Sequence, residues 1–203
     1  MTRLFGGGCP CCEQRGLPRS GESVGSRRGF FAAAVGVAAA VVAPPALAQG
    51  AIQAGGAPRV LRVRRQVVGD SFSGVYWRDG RYDRDALRQL DMVFRDLSAA
   101  ELTPMDPRLF DVMSTVARTL DSDETYEVVS GYRTPETNAR NAGRSRRVST
   151  VSLHMSGMAA DCRLPGRQGL GLARVASELQ LGGVGLYTRD GFVHLDCGPV
   201  RRW

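Results

Sequence analysis

The chain holds two histidines, His154 and His194, and a carboxylate, Asp161, follows the first of them by seven residues. These three residues constrain the fold more than any other feature. Two histidines and a carboxylate are the usual parts of a catalytic zinc site, which takes three protein ligands and leaves a fourth position open. Residues 152–161 read Ser-Leu-His-Met-Ser-Gly-Met-Ala-Ala-Asp. The seven-residue spacing does not match an i, i+4 helical metal pair. Gly157 interrupts the stretch, and Ala159 and Asp161 alternate beyond it. The reading is therefore a turn bearing His154 followed by a strand bearing Asp161. Phe192-Val-His-Leu-Asp196 alternates in the same way and sets His194 and Asp196 on one face. Antiparallel pairing of these two strands would bring His154, Asp161 and His194 within reach of one ion. A lone histidine is more often a satisfied core or surface residue. Here both histidines lie in strand-like contexts with carboxylates at period two, which raises the metal reading above that alternative.

The surrounding periodicities predict an α+β domain, a small antiparallel sheet carrying the site with helices against it. Val60–Val68 alternates β-branched and arginine positions as a strand does, and residues 74–82 run into an Asp-Gly turn. Apolar residues recur at helical spacing over 83–97, with Asp83 as N-cap, and again over 107–120. A short strand is expected at 126–130, and Pro135 is placed to open a brief helix. Residues 140–147 read as an exposed arginine-rich loop. A further amphipathic helix is expected over 169–181, then a hairpin joining 184–187 to 192–196.

The chain has 203 residues, enough for one domain with a tail. Residues 26–31, Ser-Arg-Arg-Gly-Phe-Phe, precede a short alanine-rich apolar run and an Ala-Leu-Ala cleavage site at 46–48. Paired arginines before a weakly hydrophobic stretch resemble a twin-arginine export signal, so residues 1–48 are expected to be removed on export to the periplasm. The alternative is an uncleaved membrane anchor, but the run is short of the roughly 20 apolar residues that a span needs. Residues 49–59 read as a flexible linker and 60–203 as the domain. The formal charge of +7 includes five arginines and two glutamates within 1–48, which leaves +4 on the mature chain. That charge is too small and dispersed to argue for nucleic acid, but it suits loose attraction to an anionic polymer. Cys9, Cys11 and Cys12 precede the cleavage site. Cys162 and Cys197, next to Asp161 and near His194, are either a disulfide or two buried thiols.

Ser152-x-His154-x-x-Gly157-x-Ala159-x-Asp161 resembles the S-x-H-x-x-G-x-A-x-D motif of the M15 zinc peptidases, the D-Ala-D-Ala carboxypeptidases and related murein endopeptidases. Ser130-Gly-Tyr-Arg133 is similar to that family's S-G-Y-R segment. Residues 182–187 and 192–201 look like its DUF882 branch of murein endopeptidases. The resemblance implies the M15, hedgehog-like peptidase fold and Zn2+ held by His154, Asp161 and His194. It implies Arg133 as the cation that stabilises the oxyanion, and Ser152, Tyr132 and Tyr187 as substrate contacts. The expected partner is a peptidoglycan peptide, and the expected state is a monomer with no membrane span after signal cleavage.

Many members of the family place a carboxylate three residues before the second histidine, where this chain has Gly191. The H-x-D of the branch, here Asp196, is expected to activate the water. Its competing role is to orient a ligand or hold a substrate ammonium. Related chains often end Val-Arg-His-Trp, and this one has Arg202 in place of that histidine. The leading function is an exported zinc peptidase of the cell wall, an endopeptidase in preference to a D,D-carboxypeptidase. The alternative is a non-catalytic peptidoglycan- or zinc-binding domain, which the missing carboxylate at Gly191 keeps open.

Overall fold

The computed structural model describes residues 56–203 apart from Arg147. The export signal, most of the linker, and Cys9, Cys11 and Cys12 lie outside the described residues. The chain begins with a meander of β1 (Arg59–Arg65), β2 (Asp70–Arg78) and β3 (Arg81–Tyr82). Asp79 and Gly80 turn β2 into β3 with φ of 52° and 79°, the conformation of a two-residue hairpin loop. Helices α1 (Arg84–Phe94) and α2 (Pro107–Thr119) follow, then β4 (Tyr126–Ser130) and α3 (Pro135–Arg144). A single 3-10 turn, Leu153–Ser156, leads into β5 (Ala159–Arg163). The rest is α4 (Gly169–Leu179), β6 (Gly183–Tyr187), β7 (Phe192–Asp196) and β8 (Arg201–Arg202).

All eight strands form one sheet in the order β3-β2-β1-β4-β5-β7-β6-β8. The fold is α+β, and the site-bearing pair β5–β7 is antiparallel. The sheet is larger than expected and mixed, because β1 runs parallel to β4 and β6 parallel to β8. Parallel neighbours need long crossovers, and here α1 and α2 supply the one between β1 and β4.

The helices start where short polar side chains satisfy their first N–H groups. Asp83 accepts from the amides of Asp85 and Ala86, Asp106 from that of Arg108, and Thr134 from that of Thr137. Pro107 and Pro135 occupy first-turn positions, where no N–H is needed. Helices α1, α2 and α4 bury their apolar stripes against one face of the sheet. Leu61, Val63, Tyr126, Val128, Ala160, Cys162, Val193 and Leu195 meet Leu90, Phe94, Leu109, Phe110, Met113 and Leu172 there. The rings of Phe94 and Phe110 lie 5.5 Å apart, which joins α1 to α2. Each such side chain contributes roughly 1.5–3 kcal/mol by leaving water. Arg65 takes the next inward position of β1 and is buried. Its guanidinium donates to the carbonyls of Val93 and Arg95 at the end of α1.

One further expectation changes. The segment 140–147 is helical as far as Arg144, because α3 runs for ten residues. That helix buries only Thr137 and Asn138, so it has no apolar stripe to read. Of the two states left open for Cys162 and Cys197, the structure has the pair of free, buried thiols. Both face the helices, but Cys162 pairs with Val193 whereas the amide of Cys197 donates to the carbonyl of Met158. Met158 and Cys162 lie four positions apart along the chain, roughly 13 Å of strand. A disulfide requires Cα atoms within about 7 Å. Among the described residues, no helix is long and apolar enough to cross a membrane.

Candidate metal centre

The face of β5 and β7 turned away from the helices carries Ala159, Asp161, His194 and Asp196. Asp161 and His194 are direct cross-strand partners, as are Ala159 and Asp196. His154 reaches them from the 3-10 turn. Ser152 caps that turn by accepting from the His154 amide at 3.3 Å, and Gly157 closes it with a φ of 66°. The turn packs against the chain leaving β4, where the Arg133 amide donates to the His154 carbonyl at 3.2 Å. The carbonyl of Gly131 lies 2.7 Å from His154 Nδ1 and can only accept. His154 therefore carries its proton on Nδ1 and turns the lone pair of Nε2 inward.

Three atoms converge there. His154 Nε2 lies 3.2 Å from His194 Nδ1 and 3.3 Å from Asp161 Oδ1, and His194 Nδ1 lies 3.0 Å from the same oxygen. Two ligands at zinc distances of 2.0–2.1 Å in tetrahedral geometry stand roughly 3.3 Å apart. The spacing of these atoms therefore fits one such ion. All three residues are buried, with at most 7% of each exposed. Burial lowers the pKa of His154 despite the attraction of Asp161. Burial would also lower that of His194, but hydrogen bonds to Asp161 and Asp196 outweigh it and raise the value. Asp161 would be raised by burial, yet the two histidines hold it well below the usual carboxylate range. Nδ1 of His194 is the ring nitrogen that faces His154 and Asp161. A metal ion there would need that nitrogen unprotonated.

Asp196 is wholly buried behind His194, on the side of the ring away from these atoms. Its Oδ2 lies 3.0 Å from His194 Nε2 and accepts from Arg201 at 2.8 Å. Its Oδ1 accepts from the amides of Gly183 and Gly198, each at 2.9 Å, and from Arg201 at 3.3 Å. Both oxygens are thus committed outside the ligand cluster. Of the two roles weighed for Asp196, this position fits the orienting of a ligand, because it leaves His194 Nδ1 free to face the ion. On the opposite side Arg133 donates to Asp161 Oδ2, and its Nε donates to Ser130 Oγ at 2.8 Å.

The arginine is held in turn by the end of α1. Phe94 accepts from the Tyr132 amide at 2.7 Å. Asp96 accepts from the amides of Thr134 at 2.9 Å, Ser98 at 2.8 Å and Ala99 at 3.3 Å. Burial would raise the Asp96 pKa, but these donors lower it below its ordinary value. A depressed folded pKa stabilises the protein above the unfolded value near 3.9 and loses that contribution as pH falls through the folded one. Asp96→Asn is therefore expected to cost about 1–3 kcal/mol at pH 7. The difference from wild type should shrink below about pH 4. Urea unfolding at pH 7 and pH 3 measures both, and an equal loss at the two pH values refutes the charge argument.

The three expected substrate contacts differ in placement. Ser152 is taken up by capping the His154 turn, and Tyr132 packs against the core. Tyr187 stacks on Phe192 with ring centroids 4.7 Å apart and accepts a hydrogen bond from Trp203 Nε1. Two residues beside the site, Arg201 and Trp203, were given no role from the sequence, although Arg201 ends the 192–201 segment that carried the resemblance. A separate cavity of about 230 Å³, lined by Cys162, Leu164, Leu172 and Phe192, contains none of the three clustered residues.

The α+β sheet presents two histidines and a carboxylate to one point, a group that could hold a metal ion, with an arginine beside them. The family model described as Peptidoglycan L,D-endopeptidase MepK matches residues 53–203, and the chain belongs to that family. Peptidoglycan L,D-endopeptidase MepK of Escherichia coli is 35% identical over 147 residues, which cover 72% of this chain and 80% of that one. The probable peptidoglycan L,D-endopeptidase MepK of Haemophilus influenzae is also 35% identical over 147 residues, covering 72% and 79%. No solved structure matches the chain.

Proposed function

We propose that this protein is an exported zinc peptidase that hydrolyses an amide in peptidoglycan stems or cross-links. The observation that carries the reading is the spacing of His154 Nε2, Asp161 Oδ1 and His194 Nδ1, 3.0–3.3 Å apart. Zinc bound by these atoms supplies an acidified water and polarises the scissile carbonyl. Arg133 lies beside the ligand Asp161 and offers a fixed guanidinium to the oxygen on which charge develops. Asp196 keeps His194 in the tautomer that presents Nδ1. Tyr187 borders the site as a substrate contact, with Ser152 and Tyr132 in supporting positions.

The relatives' names favour an endopeptidase acting between L- and D-centres over a D,D-carboxypeptidase. That substrate lies outside the cytoplasm, in accord with twin-arginine export of residues 1–48 and a periplasmic catalytic domain over 60–203. The reading takes the active unit as a monomer, since one chain supplies every group named here.

The test is digestion of purified cross-linked muropeptide dimers by the zinc-loaded protein, read by mass spectrometry with and without a chelator. The expected result is monomer products whose new termini identify an L,D bond, lost with chelator and restored by zinc. Binding of dimers without new termini would instead establish the non-catalytic module.

A further inference from the structure

We infer that Trp203 is a substrate-contacting residue, a half-exposed indole platform that forms one wall of the metal centre and receives the aliphatic part of the substrate beside the scissile amide. The inference rests on the peptidase reading above and concerns a residue to which that reading gives no role.

The platform follows from sheet register. Asp161 on β5 pairs with His194 on β7, and His194 pairs with Gly185 on β6. Beyond β8 the chain stays beside β6, because the Trp203 amide donates to the Val184 carbonyl at 3.2 Å and the Leu186 amide to the Trp203 carbonyl at 3.1 Å. Asp161, His194, Gly185 and Trp203 thus stand in one row across the sheet. Gly185 has no side chain to fill its place in that row. A Cβ there would lie 2.6 Å from Cε2 of Trp203 and 2.8 Å from Cζ2 and Nε1. The indole occupies that space and reaches back to His194, with ring centroids 5.2 Å apart at 49°.

Its orientation is fixed from several sides. The indole N–H donates to Tyr187 Oη at 3.1 Å, and Tyr187 is stacked on Phe192. The Arg201 guanidinium lies 5.2 Å from the Trp203 ring centre. Despite this fixing the residue stays 50% exposed, whereas the neighbouring His194 is 7% exposed. A single exposed apolar residue is ordinary. An indole held rigid over a glycine and against a candidate ligand differs, because no ordering cost remains when a ligand covers it. Its flat apolar surface suits methyl and methylene groups, such as the side chains of an alanyl or diamino-acid residue flanking the amide, and offers no charge to them.

Steady-state cleavage of cross-linked muropeptide dimers and intrinsic tryptophan emission provide the test. The chain's other tryptophan, Trp77, is 5% exposed. Binding of a dimer with an N-methylated, uncleavable scissile amide should therefore shift the emission of wild type and leave Trp203→Phe unshifted. Trp203→Ala should raise KM about tenfold, the scale expected for losing one aromatic packing surface, with kcat and zinc content unchanged. Trp203→Phe should recover most of the KM. An unchanged KM with no emission shift overturns the inference while wild-type cleavage leaves the peptidase reading standing. An emission shift in a wild-type protein that cuts nothing supports the platform and removes the peptidase reading instead. Loss of zinc from Trp203→Ala assigns the indole to holding His194 and overturns the substrate contact.

Discussion

Asp161→Asn is expected to abolish zinc binding and turnover together. The carboxylate is the one charged residue of the proposed ligand set, and the two histidines hold its pKa well below the usual carboxylate range. Asparagine keeps the shape and loses the charge that offsets a divalent cation. It also leaves Arg133 beside the centre without its ionic partner. Loss of a group that only supports a ligand costs about 10–100-fold in metal affinity. Removing the charge of a ligand itself should exceed that range, so the purified variant should contain no zinc. Ligand binding to the folded state alone stabilises by about 4 kcal/mol when the ligand is at 1,000 times its Kd. In a domain of this size that is about 10 °C in Tm. Zinc should therefore raise the Tm of wild type by about 10 °C in calorimetry and leave that of Asp161→Asn unmoved. Metal analysis that finds one zinc per chain in the variant, with the wild-type thermal shift, would remove Asp161 from the ligand set.

The convergence of His154, Asp161 and His194 was legible because it depends on local pattern. A glycine marks the turn, period-two alternation marks each strand, and one antiparallel pairing joins them. The capped start of α1 was legible for the same reason, since Asp83 acts on amides within three residues. The breadth of the sheet was not, because the parallel pairings of β1 with β4 and of β6 with β8 link segments with no mutual signal in sequence. The opening of helix α3 at Pro135 was legible, but its run to Arg144 was not, because caps and two buried polar residues shape it, without an apolar stripe. Alternation correctly set Asp196 on the face of His194. It could not tell which side of the imidazole the carboxylate takes. That is decided by the amides of Gly183 and Gly198 and by Arg201, which gather Asp196 to the rear of the ring. The reach of Trp203 likewise depends on an absent side chain, and Gly185 becomes a floor only once the chain beyond β8 lies against β6.

Asp196→Asn separates the two roles of that carboxylate, and the expected result is a weakened zinc site that excess zinc repairs in part. The two backbone amides at Oδ1 require an acceptor and would hold the asparagine oxygen there. The NH2 group must then take the place of Oδ2, facing His194 Nε2. A donor at that point forces Nε2 to accept and moves the ring proton to Nδ1, the atom directed at Asp161 and His154. The substitution thus blocks a ligand without touching it, as expected of a partner that sets an imidazole tautomer. Zinc affinity should fall about 10–100-fold, and activity measured at rising zinc should recover toward wild type as the metal competes with that proton. A general base gives the opposite pattern. Zinc affinity would stay at the wild-type value while kcat fell about 10²–10⁴-fold at every zinc concentration. Zinc titration followed by muropeptide cleavage on the same samples distinguishes them, and a zinc-replete but inactive Asp196→Asn would return Asp196 to the role of base.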